Sequence, residues 1–167
     1  MFMEQTGKEE AIKKFKNLVH DVNICMFTTI DDNNRLFSRP MSTAKIDDEG
    51  NAWFFTNEFS EKIQEVSRDN TVYLIYAHPG KNIYVTVRGT SSVVLNRQKI
   101  DELWNPLLKA WFPKGKDDPK LCLVQVVTEE ANYWNSNSGS MGVYFKMLKA
   151  IANREKYTEE DVGKLKL

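Results

Sequence analysis

The sequence predicts a mainly β protein, an antiparallel barrel, closed or partly closed, with helices inserted between its strands. Two observations carry this. Runs rich in β-branched and aromatic residues recur along the chain, and short polar turn segments separate the first of them. Closing six or more such strands on themselves removes the bare margins that an open sheet would leave.

The opening element is nonetheless a helix. Ala11, Ile12, Phe15, Leu18 and Val19 recur at helical spacing among Lys, Glu and Asn, so residues 8–20 form an amphipathic lid on the barrel. Val22–Ile30, Leu36–Ile46 and Ala52–Thr56 follow as strands. Asp31-Asp32-Asn33-Asn34 and Asp47-Asp48-Glu49-Gly50-Asn51 divide them, which makes the first half a meander. Ser60 caps a helix running to Arg68, with Ile63 and Val66 three apart. Thr71–Ala77 and Ile83–Leu95 are the next strands.

From Arg97 to about Trp111, Ile100, Leu103, Trp104, Leu107 and Leu108 repeat at helical spacing, a stripe expected to face the core, and Pro106 kinks or divides the helix. Leu121–Thr128 and Ala131–Trp134 supply the last strand material. The tail, Lys156–Leu167, is short, charged and weakly patterned, so it is expected to be weakly ordered. With no internal repeat and no linker, residues 1–167 read as one domain.

Charge and composition exclude several function classes. Lys and Arg number 23, as do Asp and Glu, so no long-range field is available for a polyanion and nucleic acid is not an expected partner. No apolar run approaches the roughly 18 residues that span a bilayer, and the first twenty residues carry charges instead of an export signal. A cytoplasmic protein without a membrane partner is expected. Cys25 and Cys122 sit in apolar, strand-like runs, where a thiol acts as a small hydrophobe. His20 and His78 are far apart, with no Cys or carboxylate at ligand spacing, so no metal site is expected. No nucleophilic triad stands out, and any redox or transfer chemistry falls to a cofactor.

The most informative segment is Thr56-Asn57-Glu58-Phe59-Ser60-Glu61-Lys62. Hydroxyls, backbone amides and one ammonium gather there at a strand end and a helix start, where the helix dipole favours an anion. Arg39 and Lys62 could neutralise most of a phosphate monoester's charge. The plainer alternative is that Thr56 and Ser60 cap the helix and Lys62 is a solvated charge. In Arg39-Pro40-Met41-Ser42-Thr43, Pro40 deletes a ladder donor, so this stretch belongs at an edge or a bulge, with backbone open to a planar ligand. Trp104, Trp111, Phe112 and Trp134 could wall such a site or simply fill a core.

Lys45, Asp48, Gly50, Phe54-Phe55-Thr56-Asn57, Ser60 and Lys62 resemble, in order and spacing, the flavin mononucleotide (FMN) binding stretch of pyridoxamine-5′-phosphate oxidase. Trp104-Asn105-Pro106, Trp111-Phe112-Pro113, Gly115, Asp118-Pro119 and Tyr133-Trp134 resemble the general-stress-protein branch of that flavoprotein superfamily. The likeness covers roughly residues 8–150. It implies a split β-barrel of Greek-key, FMN-binding type and a homodimer with FMN in clefts at the subunit interface. Carried over, it sets Arg39, Lys62, Thr56 and Ser60 on the phosphate. The backbone of Pro40, Met41, Ser42 and Thr43 runs beside the isoalloxazine ring, and Phe55 and Asn57 lie on the ribityl side. Tyr84 falls where the oxidase has a flavin contact from the partner chain, Trp134 matches an aromatic at the cofactor's edge, and Trp111 covers it.

Two departures qualify the likeness. Glu61 replaces a second basic phosphate ligand, which would weaken FMN binding. After Trp134 the oxidase has an Arg/His-rich run gripping its phosphorylated substrate, whereas this chain reads Asn135-Ser136-Asn137-Ser138-Gly139-Ser140-Met141, so oxidation of pyridoxamine phosphate is not expected. The implied activity is an oxidoreductase passing electrons from a small-molecule donor such as a reduced nicotinamide, through FMN, to a small acceptor such as a quinone, a nitro compound or oxygen. The alternative is a non-catalytic flavin-binding stress or sensor protein. The sequence does not separate FMN from the deazaflavin F420.

Overall fold

The computed structural model describes residues 2–57, 70–135, 147–153 and 161–167. Helix α1 (Phe2–Val19) is followed by strands β1 (Ile24–Ile30), β2 (Leu36–Ile46), β3 (Ala52–Thr56), β4 (Thr71–His78) and β5 (Ile83–Val94). Then come helix α2 (Arg97–Leu103), two short 3-10 turns, and strands β6 (Cys122–Asn135) and β7 (Asp161–Lys166). The expected helix from Ser60 to Arg68 lies outside the described residues.

The strands form one antiparallel sheet in the order β3-β2-β1-β4-β5-β6-β7, and a further pairing of β3 with β6 closes six of them into a barrel. β1, β2 and β3 form a meander and β4 returns to lie beside β1, which is the Greek-key arrangement. Turn chemistry holds the hairpins. Asp31 accepts backbone hydrogen bonds from Asn33 and Arg35. Asp47 does the same for Glu49 and Asn51, and takes the Trp53 indole N–H at 2.8 Å. The non-glycine residues with positive φ among those described are Asn34, Asn70 and Asn82, the residue type that tolerates the left-handed region best.

Phe27, Phe54, Leu74, Tyr76, Val85, Val87, Val124 and Val126 fill the barrel, and Phe15, Leu18 and Val19 of α1 close one end. Phe27 and Phe54 meet edge to face at 5.5 Å, as do Phe15 and Tyr76 at 6.4 Å. Cys25 belongs to this core and burial pushes its thiol up to about 12; Cys122 packs against it half-buried.

Three local expectations change. The last two strand segments merge into one β6, because a bulge opposite Arg88 and Gly89 absorbs Glu129 without ending the strand. Glu129 uses its displaced position to take Arg88 and Thr90. The stripe from Arg97 to Trp111 is not one helix: Trp104 is extended (ψ 131°), and Pro106 opens a separate 3-10 turn, Pro106–Ala110. Neither piece buries a residue fully, so the stripe does not enter the core. Within the tail, Asp161–Lys166 is β7, paired to the second half of β6 from Glu130↔Lys166 to Asn135↔Asp161. Gly163 permits this, since a Cβ there would lie 2.6 Å from the Tyr133 hydroxyl.

Candidate functional site: a cleft where the barrel splits

β2 pairs with β3 from Ile46 as far as Thr43, opposite Phe54, with Ala44 bulged out between Thr43 and Lys45. Past that point the two strands part. Phe55 and Thr56 continue along β6, while Arg39 to Ser42 stay with β1. The barrel is split there, and one side of β2 faces a gap. The Thr43 amide donates to the Asn23 carbonyl of the strand β1 side at 2.8 Å, so alternation turns the Ser42 amide and the Pro40 nitrogen toward the gap. Pro40 therefore costs no ladder bond, which is why a proline is tolerated in an eleven-residue strand.

A cleft of about 400 Å³ occupies this gap. Arg39, Pro40, Met41 and Ser42 form one wall; Phe55, Thr56 and Asn57 form the other; Trp111 lies at the mouth. Eight of the residues singled out from the sequence thus come together. Arg39 is buried, its guanidinium 5.0 Å from the centroid of the Phe37 ring. Behind Phe55 stands a ladder of rings, Phe55 to Trp104 at 6.0 Å and Trp104 to Phe112 at 6.5 Å. It fixes the segment that carries Trp111, whose own indole remains 67% exposed.

The other expected residues are placed differently. Ser60 and Lys62, with Glu61, lie outside the described residues. Thr43 does not line the cleft: its side chain is on the inward face of β2, its hydroxyl 2.9 Å from that of the buried Tyr76. Tyr84 and Trp134 are directly opposed across β5 and β6, and neither lines the cleft of its own chain. Each is 39% exposed, on the outward face of the barrel. A ninth residue named from the sequence, Phe112, also lines the cleft; Ile24, Ala44 and Leu108 line it too and were not foreseen. Ile24 could have been found from its register opposite Ser42, and Leu108 from standing three residues before Trp111 in a three-per-turn helix.

Chemically, the cleft offers a slot between a strand edge and an aromatic wall, with one buried cation. This suits a flat, largely apolar ring system bearing an anionic group, and its volume lies in the usual range for small-ligand sites. A phosphorylated flavin has that character. Among the described residues no group of three or more His, Cys, Asp or Glu is placed to hold a metal, and no helix is long and apolar enough to cross a membrane.

Comparison with known proteins follows the same line. The curated protein bli-3 of Neurospora crassa is 26% identical over 144 residues, covering 80% of this chain and 69% of its own. The crystal structure of a candidate general stress protein 26 from Jannaschia sp. CCS1 superimposes with a TM-score of 0.71 at 23% identity, covering 96% of this chain and all of that one. The general stress FMN/FAD binding protein of Xanthomonas citri gives 0.62 at 26% identity, covering 75% and 89%. Residues 10–158 match the family described as "Pyridoxamine 5'-phosphate oxidase like". With most of its length matched and its barrel split in the same way, the chain belongs to the pyridoxamine 5′-phosphate oxidase-like family.

Proposed function

We propose that the chain is a cytoplasmic, homodimeric FMN protein that passes electrons from a reduced small-molecule donor to a small acceptor. The single observation that carries this reading is the cleft at the split, where a buried arginine, a free strand edge and an exposed tryptophan converge on one slot. The Xanthomonas citri relative, named for binding FMN or FAD, supports it.

In this reading Arg39 and Thr56 hold the phosphate, with Ser60 and Lys62 joining them. The Ser42 amide donates to the ring's edge, Phe55 and Asn57 flank the ribityl chain, and Trp111 shields the slot from water. Bound FMN supplies reversible acceptance of a hydride or of single electrons. The chain's own part is to bind, orient and exclude solvent.

The dimer is supported by an apolar outer face. Register sets Ile24, Met26, Ile75, Tyr84 and Trp134 on the same side of β1, β4, β5 and β6, all exposed, and Ile24 continues this face into the cleft. A second copy seated there would bury the patch and bring Tyr84 and Trp134 to its partner's flavin.

A non-catalytic flavin-binding role is the second reading, favoured by Asn135-Ser136-Asn137-Ser138-Gly139-Ser140-Met141 in place of a substrate-gripping run. The deciding experiment is titration of the flavin-free protein with FMN, riboflavin and F420, followed by turnover with reduced nicotinamide and sedimentation analysis. Saturable FMN binding with weak riboflavin binding supports the phosphate site, and turnover separates the two readings. No flavin binding overturns both. A monomer at micromolar concentration overturns the dimer.

A further inference from the structure

Ala44 belongs to two cavities. On one side it lines the cleft at the split; on the other it lines a second cavity of about 320 Å³, between the end of α1 and the start of the β2–β3 pairing. The second cavity is framed by Lys16, His20, Thr43, Lys45 and Tyr76. Val19, Val22, Ala44 and Ile46 supply most of its wall, and the polar groups set among them are chiefly basic and hydroxylic. No carboxylate is among its described lining residues, two ammonium groups stand at its rim, and the paired hydroxyls of Thr43 and Tyr76 lie at its floor.

The ammonium groups are occupied outside the cavity. Lys16 reaches Asp48 at 2.7 Å and Lys45 reaches Glu102 at 3.1 Å, both pairs solvent-exposed. Exposed pairs of this kind are worth little and exchange readily for a better oxyanion partner. Tyr76, buried under α1, has its ionisation pushed well above the usual range, so its hydroxyl stays protonated and can donate. Three kinds of donor therefore converge on a volume large enough for a small molecule.

We propose that this cavity is a second ligand site, for a small oxyanion, and that its occupancy is coupled to the cleft through the Ala44 bulge. The coupling has a structural route. Thr43 and Lys45 flank the bulged Ala44, and an oxyanion held by the Lys45 ammonium and the Thr43 hydroxyl fixes both sides of it. Ser42, the next residue, is the one whose amide faces the cleft. Couplings between sites are typically about 5- to 150-fold and act equally in both directions. The coupling half of this proposal rests on the flavin reading; the binding half does not.

The test uses the two histidines as reporters. Inorganic phosphate, and malonate in parallel, is titrated at constant ionic strength into the FMN-loaded and the flavin-free protein, and the ring-proton resonances of His20 and His78 are followed by NMR. The expected result is a saturable shift at His20 with none at His78, abolished by the Lys16→Gln/Lys45→Gln double variant. FMN affinity should change at least five-fold at saturating phosphate in the parent and stay constant in the double variant. A non-saturating drift, equal shifts at both histidines, or an unaltered shift in the double variant overturns the site. A saturable His20 shift with constant FMN affinity overturns the coupling. If no flavin binds but the His20 shift saturates, the flavin reading falls and the oxyanion site stands.

Discussion

Thr43 pairs with Phe54, and beyond that pair β2 and β3 part, β2 keeping only β1 and β3 only β6. The point of divergence is also a point of tight packing, because the Phe54 ring is fully buried and abuts Phe27. Phe54→Ala should therefore cost about 3–5 kcal/mol, read from urea denaturation, and weaken flavin binding as well. A loss of stability with flavin affinity unchanged would show that the cleft does not depend on this junction.

The bulge on β6 makes its own prediction at Gly89. A Cβ there would lie 2.5 Å from the Val127 carbonyl oxygen and 2.7 Å from a Val126 methyl, and backbone cannot yield as a flexible side chain can. Gly89→Ala should destabilise by about 1–3 kcal/mol, as overpacking does. A denaturation midpoint equal to the parent's would mean that the bulge can reopen.

Arg39 is the buried cation of the cleft. If it holds the flavin phosphate, Arg39→Leu should weaken FMN binding about 10- to 100-fold, the worth of a charge-assisted hydrogen bond. Riboflavin, which has no phosphate, should bind as before. An equal loss for both flavins would move Arg39 from the phosphate to the ring.

Acid should weaken the protein in a defined window. The Lys81 ammonium hydrogen-bonded to Asp21, helped by His20, lowers its carboxyl to about 2. An unfolded Asp titrates near about 3.9, so the contribution is complete above that value and is lost as pH falls through 2. Asp48, Asp101 and Glu130 are lowered in the same direction by Lys16, Lys116 and Lys164. Because each of these pairs is solvent-exposed and worth little by itself, melting temperature should fall only modestly between pH 4 and 2 (the span of those two values), and Lys81→Met should flatten part of the slope. Added salt should flatten it further, since these carboxylates are exposed.

Much of the barrel was legible because a half-buried strand writes its period of two into the sequence. Arg39-Pro40-Met41-Ser42 is the clearest case: a proline among strand residues implies a free edge, and that edge is a wall of the cleft. What the chain does not spell out is which strands diverge. Glu129 interrupts the alternation of β6 for one residue, which reads locally as two strands. The stripe of Ile100, Leu103, Trp104, Leu107 and Leu108 has helical spacing, but Asn105-Pro106 restarts the chain and re-aims Leu108 and Trp111 at the cleft. Thr43 turns inward by the same alternation that turns Ser42 outward, a distinction a contiguous motif conceals.

Barrel closure has a consequence in time. Neighbouring hairpins such as β1–β2 and β4–β5 need only short loops to form, whereas β3 must find a partner 74 positions further on in β6, Ala52 against Val126. Pairings of such long range are made late because their loop entropy is paid before any contact returns it. The cleft exists only once that last pair has formed, so a ligand seated in it can slow the barrel's opening but has nothing to grip while the chain is still assembling.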